Sequence, residues 1–379
     1  MMANLLIPAG ALDIPAPLPA RIPRAPRRPR PESFMAAFED RILVYDCFRN
    51  ADGDGVVMVC PPPLNLGPMF ARARFAAGGR RLWAHTVTGP SVTLVTLPRV
   101  PSSASSIAMT LGGMSLEIPI AENHSAALED RRVLFTMNKD NDPDWIADWA
   151  AFHQHHHGAD AVIVIDNGST RYPAARVLER LEAVPGFAHR IVLDWPYRYG
   201  AHDPAVTLRP YWSHFVQNAA MSVVLRRFAA RARGLLNLDI DELAARPADG
   251  TTIFETCETS HAGLVVMRGV WIEPEGASDT PRHADFTRRA ADPRAARCAQ
   301  RKWVLDPRRD WVRNRRVLPH VHWIENRPPR SKTMREDLFY WHFKGINTRW
   351  KDDRATSAGI PTRPDAALLS LYRSIGWIP

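Results

Sequence analysis

From Arg132 onward short apolar runs alternate with stretches of helical periodicity, and each run breaks off in polar or acidic residues. That alternation constrains the chain most, because strand, helix and strand in succession fold into a mostly parallel sheet with helices covering its faces. Val133 to Met137 reads as the first such strand and ends at Asn138 and Asp140. Asp142 followed by Pro143 starts a helix, as a cap plus a proline at the first helical position. Trp145, Trp149 and Phe152 then fall at helical spacing, and Gly158 stops the helix. Ala161 to Ile165 is the second strand and ends in Asp166-Asn167-Gly168-Ser169. Ala174, Val177, Leu178 and Leu181 give a second helix, Ile191 to Leu193 a third strand, and Trp212, Phe215, Val216, Ala219 and Val223 a third helix.

The next strand carries the densest chemistry. Gly234 to Leu243 is an apolar run that turns acidic, gathering Asp239, Asp241 and Glu242. While the chain stays extended, Asp239 and Asp241 point to one face. Two carboxylates held together repel unless a cation lies between them, and Mg2+ or Mn2+ suits such ligands while leaving positions for substrate phosphates. In a parallel sheet ligands bind beyond the carboxyl ends of the strands, where Asn138, Asp140, Asp166, Asp239 and Asp241 all fall.

The segment 33–123 has a different grammar, with β-like runs at Ile42 to Tyr45, Val56 to Cys60, Arg81 to Val87, Ser91 to Leu97 and Met114 to Ile120, and it reads as a small β-sandwich-like domain. Residues 1–32 crowd Arg21, Arg24, Arg27, Arg28 and Arg30 among prolines and are expected to stay outside the fold, so that their removal leaves turnover intact. The remainder, 131–379, reads as a second, α/β unit that carries the strand-end acids. Within it Gly263 to Ile272, Lys302 to Leu305 and Val317 to Ile324 read as further strands, and Leu368 to Tyr372 as part of a closing helix.

Hydrophobic content of 45% and charged content of 23% over 379 residues suit a soluble protein. No apolar run approaches the roughly 20 residues of a membrane-spanning helix, and no secretory leader is evident, so a cytoplasmic location is expected. Four scattered cysteines agree with a reducing compartment. The net charge of +9, with a second basic run from Arg288 to Arg316, would attract anionic sugars, nucleic acid or acidic lipid, so peripheral contact with a membrane is a further expectation.

Thr136-Met137-Asn138-Lys139-Asp140, then Trp145 to His153, then Val162 to Thr170 and Leu238-Asp239-Ile240-Asp241-Glu242 occur in an order that resembles family 2-like glycosyltransferases of the GT-A fold, in the branch related to family 92. The resemblance runs from about Arg132 to Lys351. It implies a hexosyltransferase of polysaccharide biosynthesis that uses a UDP- or GDP-linked sugar, a divalent metal and a glycan acceptor. Asn138, Asp140, Asp166 and Gly168 would hold the nucleoside, and Asp239 with Lys302 the diphosphate. A late histidine, His342 first and His322 second, would join Asp239 and Asp241 on Mn2+ or Mg2+. Lys139 and Arg171 stand where the family commonly has acids.

An inverting transfer also needs a carboxylate base, for which Glu273 and Glu275 are the candidates. His153, His155, His156 and His157 invite a zinc site, but no acidic base accompanies them, and helix-terminal histidines that complement the dipole are the expected reading. His320 and His322 share one face of the expected Val317 to Ile324 strand. Two other classes compete. A nucleic-acid-binding protein would use the arginines but leaves the strand-end carboxylates without a purpose, since these repel phosphate, and no nucleic-acid partner is expected. A non-catalytic carbohydrate-binding protein would use the β-rich front segment.

Overall fold

A computed structural model describes residues 3–201, 213–275, 280–348 and 359–379. Its centre is a nine-stranded sheet. In chain order the strands are β1 (Ala3–Ile7), β2 (Arg132–Asn138), β3 (Ala161–Asp166), β4 (His189–Asp194), β5 (Gly234–Asn237), β6 (Glu242–Ala244), β7 (Leu264–Ile272), β8 (Arg297–Leu305) and β9 (Met334–Phe343). They lie in the order β1-β4-β3-β2-β5-β8-β7-β9-β6. The first five neighbours pair in parallel, as do β7 and β9, while β8 and β6 run against their partners.

The strands are buried on both faces, as a helix-covered sheet requires. Val133, Phe135, Ile163, Ile165, Leu235 and Trp303 enter one apolar cluster, and Leu134, Val162, Val164, Leu236 and Val304 enter another on the opposite side. The second face is covered by α1 (Pro143–His157), α2 (Ala174–Glu182), α4 (Ile253–Thr259) and α5 (Ala366–Ser374), and the first by α3 (Phe215–Val223) with its wider-turned continuation over Val224–Phe228. The Asp142 carboxylate accepts the Asp144 N–H at 2.9 Å at the start of α1, and Gly158 ends that helix with φ +67°. Trp212 and Lys351 lie outside the described residues.

The front segment forms two four-stranded antiparallel sheets. One contains Asp46–Arg49, Gly55–Cys60, Thr93–Pro98 and His85–Thr88; the other contains Met114–Pro119, Ser106–Leu111, Arg74–Ala77 and Arg80–Leu82. The single run expected over Arg81 to Val87 is thus divided between the two sheets. Along Gly55–Cys60, Val56, Met58 and Cys60 face a cluster shared by both front sheets, whereas Val57 and Val59 join the core of the central sheet. Alternation therefore buries both faces and fuses the front segment to the rest. A buried ion pair, Arg227 Nη1 to Asp46 Oδ2 at 2.9 Å, crosses the same boundary.

The leader departs from expectation. Ala3–Ile7 completes the sheet edge beside β4, and Leu5 and Ile7 pack on the core. Arg21 is buried and donates to three carbonyl oxygens, those of Pro62, Glu39 and Ile42, at 2.9, 3.0 and 2.7 Å. A proline-rich strip has few internal hydrogen bonds, so its order comes from partners distant in sequence: a sheet edge and a guanidinium fork. Val317 to Ile324 is likewise no continuous strand but a small hairpin, Leu318–Pro319 with Ile324–Glu325, that carries His320 and His322 at its turn.

Candidate active site

The acidic stretch leaves the sheet at Asn237 and turns at once. The Glu242 N–H donates to Asp239 O at 3.0 Å, and the Asp239 N–H returns a bond to Glu242 Oε2 at 2.7 Å. Leu238 and Ile240 are anchored in the second core cluster, which leaves the Asp239 carboxylate between them on the open side. Asp239 and Asp241 consequently serve different partners. Asp239 Oδ2 stands 2.7 Å from Lys302 Nζ, whereas Asp241 Oδ2 stands 3.0 Å from His342 Nε2. Lys302 is wholly buried and also reaches Glu242 Oε2 at 3.0 Å.

Ligand atoms of Asp241, Glu242 and His342 lie within 4.8 Å of one another. Asp241 and His342, two of the three expected metal ligands, thus meet Glu242 instead of Asp239. Glu242 and His342 are register partners across β6 and β9, so their side chains leave the sheet together. Glu242 Oε1 is buried without a hydrogen-bond partner among the described residues and stands 3.8 Å from His342 Nδ1. Two carboxylates and one imidazole, with a buried oxygen left unsatisfied, are a donor set that fits a divalent cation.

The electrostatics follow from burial and these neighbours. Burial, opposed by Lys302 and assisted by Asp239, pushes the Glu242 carboxyl up to about 7. For His342 burial works against the charged ring, but Asp241, Cys298 and Glu242 outweigh it and raise it to about 10, so a cation taking a ring nitrogen would displace that proton. Lys302 holds the half-exposed Asp239 below its ordinary range. Trp271 stacks on the His342 ring with centroids 4.1 Å apart, and Cys298 Sγ lies 3.3 Å from His342 Nδ1.

Histidines also hold the turn from behind. His153 Nδ1–H donates to Trp149 O at 2.7 Å, so its Nε2 accepts the Ala244 N–H at 3.1 Å. His157 Nε2–H donates to Ala244 O at 3.0 Å, and its Nδ1 accepts the Ile253 N–H at 3.3 Å. Burial lowers His153 well below the ordinary histidine value and His157 to about 4. These rings are neutral clamps on β6, which corrects the expectation that they complement a helix dipole. His283 Nε2 similarly bonds Ile240 O at 2.9 Å.

At the neighbouring strand ends Asn138 and Asp166 are register partners, with Asn138 Nδ2 donating to Asp166 Oδ1 at 2.6 Å. The Ser169 hydroxyl and N–H also donate to Asp166, at 2.6 and 2.9 Å. Asp140 accepts from the Thr170 and Arg171 N–H groups at 2.6 and 2.9 Å. Arg171 also donates to Asp140 O at 3.2 Å, so it locks the two strand-end loops together. Gly168 has φ +69°, and a Cβ there would lie 3.1 Å from Pro196.

Glu273 is buried and grips Lys344 Nζ through both oxygens at 2.8 Å; Glu275 accepts from Arg288 and Thr362 at 3.0 and 2.7 Å. Both candidate bases are engaged with donors. His322, the alternative metal ligand, bonds Arg301 O through Nδ1 at 3.0 Å and is outside the three-residue cluster. Glu242 adjoined the predicted pair in sequence but emerges as a ligand only through its register with His342. Cys298 carried no sequence signal.

No family model matches the chain, and no curated protein matches it. One solved structure similar to it is the apo form of WbbM, a bifunctional glycosyltransferase, at 14% identity with a TM-score of 0.24. The alignment covers 51% of this chain and 36% of that one, about a third of WbbM. At that score the likeness carries no argument about chemistry. Among the described residues no helix is long and apolar enough to cross a membrane.

Proposed function

We propose that this chain is a glycosyltransferase of the GT-A type that moves a hexose from a UDP- or GDP-linked donor to a hydroxyl of a glycan acceptor. The observation that carries the reading is the Asp241–Glu242–His342 cluster, set just past the carboxyl end of β5 with Glu242 Oε1 buried and unsatisfied. These three residues would hold Mn2+ or Mg2+, which would supply charge neutralisation for a nucleoside diphosphate leaving group.

The chain's own groups have distinct parts in this reading. Asn138, Asp140, Asp166 and Gly168 form the nucleoside side, with Gly168 taking the positive φ that turns its loop against Pro196, and Asn138 and Ser169 holding the Asp166 carboxylate in place. Lys302 offsets the charges of Asp239 and Glu242, which would otherwise repel a diphosphate. Trp271 and Cys298 fix the plane of His342. The front sheets form a sandwich-like unit for placing the acceptor, and the basic surface gives peripheral contact with acidic membrane. The engagement of Glu273 and Glu275 with donors argues against either as the base.

The test is a panel of UDP- and GDP-sugars offered with oligosaccharide acceptors, followed by release of nucleoside diphosphate. Turnover of one donor, abolished in Asp241→Ala, supports the reading; no release from any donor counts against it.

A further inference from the structure

Beside this cluster a crevice is lined by Arg301, Arg327, Arg330, His322, Trp323 and Thr333. Between Glu325 and Arg335 the loop carries Arg327, Arg330 and Lys332, and Arg335 itself is paired with Asp337. Pro328 and Pro329 stiffen that loop, and Arg327 Nη1 donates to Thr333 Oγ1 at 2.8 Å and to Pro328 O at 3.3 Å, so its guanidinium is braced. Among the described residues no carboxylate forms an ion pair with Arg327 or Arg330. Burial, then Arg301 and Arg330, lower the pKa of Arg327. Arg327 and Arg330, like charges held together with no carboxylate paired to either among the described residues, would be stabilised by an anion from outside the chain.

His322 gives the crevice its place. It lines the wall and also lies close enough to Lys302, Asp239 and His342 for each to influence its protonation. Burial and Lys302 hold it down to about 4, so a neutral ring joins the basic crevice to the acidic turn. Trp323, stacked on His320 at 4.4 Å, supplies a rigid aromatic wall of the kind that sugar rings lie against.

We propose that this crevice binds an anionic substituent, carboxylate or phosphate, on the sugar acceptor. The role as acceptor site rests on the transferase reading; the anion binding does not. Titration calorimetry on the full chain without donor separates the two. The probes are a glucuronate-containing disaccharide, a hexose phosphate, the neutral disaccharide and inorganic pyrophosphate. At least one anionic sugar should bind more tightly than the neutral one, lose affinity at high salt, and weaken about tenfold or more in Arg327→Met. The exposed Arg330→Met should weaken it in the same direction while leaving the unfolding transition in place. Equal binding of neutral and anionic sugars, or no loss in either variant, overturns the proposal. Pyrophosphate as the only ligand lost in the variants would reassign the crevice to a diphosphate and also overturn it. Absence of nucleotide-sugar turnover would sink the transferase reading and leave this binding result standing.

Discussion

Glu242 and His342 are register partners on antiparallel strands, and Glu242 Oε1 stands 3.8 Å from His342 Nδ1 with no hydrogen-bond partner of its own among the described residues. Asp239, by contrast, is tied to Lys302. Glu242→Gln should therefore weaken Mn2+ binding by at least about tenfold, and Asp239→Asn by less. Mn2+ titration followed by electron paramagnetic resonance reads both; a larger loss in Asp239→Asn would reassign the ligands.

Lys302 is completely buried between two carboxylates. Lys302→Met leaves them without their cation, at a cost of about 3–5 kcal/mol in unfolding free energy. Denaturant titration should show Glu242→Gln in the same background recovering part of that loss. A Lys302→Met protein as stable as the parent would mean the ammonium contributes little.

His157 has its pKa lowered from an ordinary 6.5 to about 4, and His156 to about 3, burial being the main cause in both. The unfolded chain then binds more protons than the folded one between these values, so stability is complete above about pH 6.5 and declines as pH falls toward 4. His157→Gln keeps a donor for Ala244 O and removes one titrating group. Its denaturant midpoint should change less between about pH 7 and about pH 5 than that of the parent, and an unchanged dependence would show that His157 is not a source of the slope.

Arg21 satisfies three backbone carbonyls of the front segment. Arg21→Ala should cost about 3 kcal/mol or more, and removing residues 1–30 should lower the melting temperature further because β1 is lost from the sheet edge. A truncated protein that melts with the parent would restore the leader to the role of a dispensable tail.

Local signals in the sequence marked the features that depend on neighbours along the chain. Asp142-Pro143 and Gly158 bracket α1, and the apolar runs before Asn138, Asp166 and Asn237 are strands buried on both faces. What stayed hidden depends on pairing between distant segments. The leader is ordered by β4, Val57 and Val59 serve the central core while Val56 and Met58 serve the front one, and Glu242 meets His342 only through the β6–β9 register. The spacing of Asp239 and Asp241 implied one shared face, but the turn at Ile240 and Asp241 sends the two carboxylates to different cations. His153 and His157 show helical spacing for a shared face, yet their common object is the backbone of Ala244.

The most direct test of the central claim is nucleotide-sugar turnover measured before chelation, in EDTA, and after Mn2+ is restored, in the parent and in Asp241→Ala. The account predicts turnover that disappears in EDTA, returns with Mn2+ in the parent, and never appears in Asp241→Ala. Full-rate transfer in EDTA, with bound metal excluded by elemental analysis, would contradict it.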